Sequence, residues 1–70
     1  MEPRFLDTKQ AAQYLSLSAV WLNELRIKGG GPKFYKLGRA VRYKVEDLDA
    51  WVEEREPVSS LAEYYSKNDK

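Results

Sequence analysis

Apolar residues fall along this chain in short bursts whose spacing changes from helical to alternating and back. Asp7-Thr8-Lys9-Gln10 opens the first burst with a capping acid three residues before a glutamine, a variant of the capping box. Ala11, Ala12 and Leu15 then recur at helical spacing, until Ser16-Leu17-Ser18 interrupts the run. Ser18 is a good N-cap for a second helix reaching to about Lys28, with Leu22 and Leu25 again three apart. Gly29 is placed to end that helix in a left-handed cap, and Gly30-Gly31-Pro32 cannot continue it.

Two β-rich runs follow, Phe34-Tyr35-Lys36-Leu37 and Ala40-Val41-Arg42-Tyr43, separated by Gly38-Arg39. A Gly-X pair between such runs predicts a tight hairpin with a type II′ turn. One pleat assignment puts Val41 and Tyr43 on the core side, with Ala40 and Arg42 facing out and Arg39 at the tip. The period then returns to helical from about Val45 to Arg55. Val45, Leu48 and Val52 share a face with Trp51 beside them, and Glu46 and Asp47 stand in the first turn, where the helix dipole favours acids. Pro57 stops this helix. Ser60-Leu61-Ala62-Glu63 is another capping box, and Leu61, Tyr64 and Tyr65 have i, i+3, i+4 spacing, but two turns alone make a marginal helix. The fold class is mostly α with a small β-hairpin, in the order α-α-β-β-α. Residues 1–56 form one domain, and 57–70 a flexible tail or a short helix for docking a partner.

Composition narrows the chemistry. A chain of 70 residues holds one domain at most. It has neither cysteine nor histidine, so there is no disulfide, no thiol nucleophile and no imidazole base, and a metal site would need carboxylates alone. Asp47 and Asp49, two apart on a helix, lie on different faces and make no such pair. Gly29-Gly30-Gly31 has no lysine-serine/threonine pair or following helix to make a phosphate loop. No catalytic residue, cofactor or metal is expected. No signal peptide or bilayer-spanning run is visible, so a cytoplasmic protein with no membrane partner is expected.

The net charge of +1 hides a division. From Arg26 to Lys44 there are seven basic residues and no acid; from Val45 to Glu56 there are six acids against Arg55 alone. A basic stripe is what a phosphate backbone requires, although two such segments can also pair with each other.

Thr8 to Ile27 fits the helix-turn-helix template. Counting from Thr8, its apolar positions hold Ala11, Leu15, Leu17, Leu22 and Leu25, and the close helix crossing holds Ala12. Ser16 stands at the turn where glycine is usual, and a left-handed serine there costs roughly 1 kcal/mol. With the hairpin and the acidic-started helix, the template becomes a winged helix-turn-helix. Ala11-Ala12-Gln13-Tyr14-Leu15, Gly30-Gly31-Pro32, Phe34-Tyr35-Lys36-Leu37-Gly38-Arg39, Val41-Arg42-Tyr43 and Asp47-Leu48-Asp49-Ala50-Trp51 come in an order and spacing that resemble the excisionase/AlpA-like family of small DNA-binding proteins, related to the MerR type.

That resemblance implies double-stranded DNA as partner, with the second helix in the major groove and the wing on the backbone or the adjacent minor groove. Transferred to this sequence, Ser18 caps the recognition helix and Ala19, Val20, Trp21, Asn23 and Arg26 take its outward positions. Asn23 would pair with an adenine edge, and Arg26 with guanine or phosphate. Lys36, Arg39 and Arg42 are the wing candidates; Lys28, Lys33 and Lys44 are the phosphate candidates. Val20 and Trp21 depart from the basic or hydroxyl residues common in relatives. They can touch thymine methyls, or Trp21 can pack into the core. The bland alternatives are a solvated helix end for Arg26 and a solvated hairpin tip for Arg39 and Arg42. Phe34, Tyr35, Tyr43 and Trp51 are expected in the core.

The resemblance further implies an excisionase, a recombination directionality factor that bends attachment-site DNA to promote excision of a mobile element. Its partners would be an integrase and further copies of itself on repeated sites. Two alternatives stay open: an AlpA-type transcriptional regulator at a promoter, and a protein-interaction module that has lost DNA binding.

Overall fold

The computed structural model describes residues 4–68, so the expected 1–56 domain begins, and the 57–70 tail ends, outside that range. In chain order the elements are β1 (Phe5–Leu6), α1 (Thr8–Leu15), α2 (Ala19–Lys28), β2 (Tyr35–Leu37), β3 (Ala40–Lys44), α3 (Val45–Glu53) and α4 (Leu61–Asn68). The fold is mostly helical, with a small three-stranded antiparallel sheet ordered β1-β3-β2, a winged helix-turn-helix. No helix among the described residues is long and apolar enough to cross a membrane.

The capping box forms as the residues predict. The Gln10 N–H donates to Asp7 Oδ1 at 2.8 Å, and the Asp7 N–H to Gln10 Oε1 at 3.0 Å, pairing two donors that the start of α1 would otherwise strand. Ser16 ends α1 in the left-handed conformation, φ 57° and ψ 42°, with its N–H turned back to the Ala12 and Gln13 carbonyls. Two residues later Ser18 caps α2, its Oγ accepting from the Trp21 N–H at 3.3 Å. That turn lays α2 across α1 at small residues. Ala11, Ala12 and Leu22 are buried together with Leu6, Tyr43 and Leu48 in one core.

Gly29 does end α2, but not in the left-handed cap. Its φ of 95° and ψ of 168° lie in an extended positive-φ region that is essentially reserved for glycine. Gly30 follows at φ 91°, and Gly31 approaches so near to α2 that a Cβ there would sit 2.8 Å from the Cβ of Leu25.

The hairpin turns at Gly38, φ 66°, while Arg39 keeps a negative φ, the sign pattern of a type II′ turn. β1, which no periodicity announced, pairs Phe5 with Lys44 and Leu6 with Tyr43, so β3 becomes the central strand. Opposed residues share a face. Leu6, Val41 and Tyr43 therefore point at the helices, and Phe5, Tyr35, Arg42 and Lys44 at the other side. This corrects two core expectations. Tyr35 is on the outer face, 41% exposed and edge-on to Phe5; Phe34 is at the rim, 40% exposed, against the ring of Tyr43.

β3 passes without a loop into α3. Leu48 and Trp51 are buried, but Val52 is 46% exposed, contrary to its predicted place on the core face. The indole of Trp51 sets the rotation of the helix: its Nε1–H donates to the Gly30 carbonyl at 2.9 Å, and its ring lies 6.3 Å from that of Trp21. With positions 48 and 51 turned inward, 52 faces out. α3 ends two residues before the expected Arg55, whose guanidinium covers Trp51 at 4.0 Å and donates to its carbonyl at 2.7 Å. Tyr14 ties α1 to α3 through a 2.6 Å bond to Asp49. Within the expected tail, α4 is a helix whose Glu63 N–H donates to Ser60 Oγ at 3.1 Å, while the Glu63 carboxylate accepts from Ser59 instead of Ser60.

Candidate nucleic-acid interface

Contacts on its two flanks orient α2. On one, Trp21 leans on Trp51 and Leu25 on Gly31; on the other, Arg26 meets the sheet. The surface between them is open. Val20 and Ile27, two turns apart, are 69% and 83% exposed, with Asn23 and Glu24 exposed between them. Ala19, expected to face outward, instead packs against the core, because the helix crossing has room for a methyl group there. Trp21 divides the two readings offered for it: its ring rests on Trp51, yet it remains 44% exposed. Ser18 is the N-cap and is exposed, as expected.

Arg26 is not a solvated helix end. Its Nη1 donates to Thr8 Oγ1 at 3.2 Å and to Tyr43 Oη at 3.1 Å, its Nη2 donates to Asn23 Oδ1, and its guanidinium carbon stands 6.0 Å from the centre of the Phe34 ring. One side chain thereby fastens the start of α1, the middle of α2 and the central strand. The sequence offered no sign of this, since Thr8 and Tyr43 lie 18 and 17 residues away.

The wing candidates divide by register. Arg39 is exposed at the hairpin tip. Arg42 lies on the outer face, partly buried, with Nη1 donating to the Val41 carbonyl at 2.8 Å. Lys36 opposes Val41 and so lies on the helix-facing side of the hairpin, its Nζ donating to the Gly38 carbonyl. The three cations therefore surround the tip and do not share one face. Lys44 sits over the Tyr35 ring at 5.8 Å on the outer face; Lys28 and Lys33 are exposed at the two ends of the glycine link.

The basic stretch is not neutralised from within. Among the described residues none of its seven cations pairs with an acid; outside that stretch Arg4 meets Glu46 at 3.5 Å. The charge of these cations is thus not cancelled by ion pairing, although Asp47 of α3 lines a groove with Lys33 and Tyr35, and Glu24 is exposed on the open face of α2. Among the described residues no three acids converge to hold a metal ion. Two residues escaped sequence reasoning: Ile27, the most exposed large apolar side chain among the described residues, and Glu24 beside it. The helical spacing from Val20 could have found both.

A family model described as a helix-turn-helix domain matches residues 5–56, a span that starts at β1 and ends just past α3. No curated protein matches the chain.

Proposed function

The chain belongs to the helix-turn-helix family of excisionase/AlpA-like small DNA-binding proteins, and on that premise we propose that it is an excisionase, binding and bending attachment-site DNA so that an integrase favours excision. The observation that carries the reading is the hairpin with cations around its tip and none of them paired with an acid, set beside an open recognition helix. A helix in the major groove with a wing on the neighbouring groove grips the duplex at two places. Such a grip can offset a bend that costs about 1–6 kcal/mol. The role of the chain is binding, in the cytoplasm, without chemistry of its own.

So small a footprint favours several copies on repeated sites, with Leu61 and Tyr65 of α4 exposed where a neighbour or the integrase could dock. The exposed Val20, Trp21 and Ile27 favour a second reading, a protein-interaction module. Footprinting on the DNA of its own genetic element, at about physiological salt, separates the readings. Clustered repeats beside an attachment site support the excisionase, and one site across a promoter supports a regulator of the AlpA type. No protected site at all would leave the interaction module.

A further inference from the structure

The bond between Arg26 and Asn23 decides what Asn23 shows to the outside. A guanidinium carries donors only, so the atom of Asn23 that faces it is Oδ1. The carboxamide is planar, and committing Oδ1 to Arg26 turns the Nδ2 amino group away from it. The Asn23 side chain is exposed and has no other hydrogen-bond partner among the described residues. Arg26 cannot readily follow the amide outward, because Thr8, the buried Tyr43 and Phe34 hold it from behind.

An asparagine reads adenine by using both atoms at once, Oδ1 accepting from N6 and Nδ2 donating to N7. Here one lone pair of Oδ1 already holds a charge-assisted bond, so adenine N6 could use only the second, with the amide kept turned toward Arg26 and the groove at once. We propose that Arg26 fixes Asn23 as a donor in the major groove, so that Asn23 favours an edge rich in acceptors, guanine N7 and O6 or thymine O4, over adenine, whose N7 acceptor stands beside the N6 donor. Val20 and Ile27, exposed one turn before and after, are placed to take thymine methyls on either side. Asn23 is then the specificity-determining residue and Arg26 its positioning residue. The inference rests on the reading that α2 enters the major groove.

Selection of binding sites from a random-sequence duplex pool tests it, using the full chain and its variants. The wild type should select guanine or thymine at one position, and Asn23→Ala should flatten that position alone, with an affinity loss of about tenfold on the preferred base. Asn23→Asp keeps the bond to Arg26 but offers an acceptor outward, and should move the position to cytosine or adenine. Arg26→Met frees Oδ1 and should move it toward adenine; a bracing role alone would weaken all positions equally. If Arg26→Met does not fold, as circular dichroism would reveal, the two Asn23 variants still decide. Adenine selected by the wild type at the position that Asn23→Ala flattens would overturn the proposal, as would an Asn23→Ala pool identical to the wild type. A wild type that retains no duplex even at low salt would instead overturn the DNA-binding reading beneath it.

Discussion

At the scale of single residues, two backbone positions in this domain are under opposite constraints. Ser16 holds a left-handed conformation that costs an L-residue about 1–2 kcal/mol, and its side chain makes no hydrogen bond among the described residues to offset it. Ser16→Gly removes that strain against a smaller cost, the extra conformational freedom that glycine gives up on folding, and should stabilise by up to about 1 kcal/mol. A thermal melt would show it as a rise of several degrees. Gly31 is the reverse case. Its φ is ordinary, but the Leu25 Cβ occupies the space a methyl group would need. Gly31→Ala must push the link away from α2 and should lower stability by about 1–3 kcal/mol in the same assay. Both effects belong to folding.

Among the elements, those that pack substantially on one another are the three strands and α1 to α3; α4 is not one of them. A chain ending at residue 56 should therefore melt within a few degrees of the full one, and a large drop would mean that α4 is part of the core unit. How readily each element could be read from sequence follows from how local its causes are. The capping box of α1, the Ser18 cap and the Gly38 turn are short-range chemistry, and each forms where its residues predict. β1 is two residues long and exists because Tyr43 and Lys44 are there to pair with, which no local pattern can announce. Val52 and Trp51 are adjacent, and a helical period alone cannot say which turns inward; the Gly30 carbonyl decides for Trp51. The candidate site divides in the same way. Arg39 at the tip follows from the turn, and Lys36 falling on the side opposite Arg42 was already implicit in strand alternation. The anchoring of Arg26 depends on three residues remote from it or across the fold, so its part in orienting Asn23 could only be seen once the chain was folded.

For the whole molecule, the near-zero net charge is the sum of a cationic segment running from the end of α2 through the wing and an acidic segment on α3 and just beyond it. Affinity for DNA should then depend on salt through the cations of that basic segment and not through the total charge. Each cation that neutralises a phosphate adds roughly one to the slope of log affinity against log salt. Arg39→Ala and Arg42→Ala should each flatten that slope by about one unit, with little change in sequence preference. An unaltered slope in both variants would remove the wing from the interface.

The two tryptophans of the chain, Trp21 on α2 and Trp51 on α3, stand 6.3 Å apart, one half-exposed and one buried beneath Arg55. Their meeting gives the protein an optical reporter of its own at the seam between the two helices. A duplex drawn against α2 should quench and shift the emission of Trp21, whereas a complex held by the hairpin alone should leave the spectrum as it was. The light this domain emits can therefore tell, with no label attached, which of its two arms has hold of the DNA.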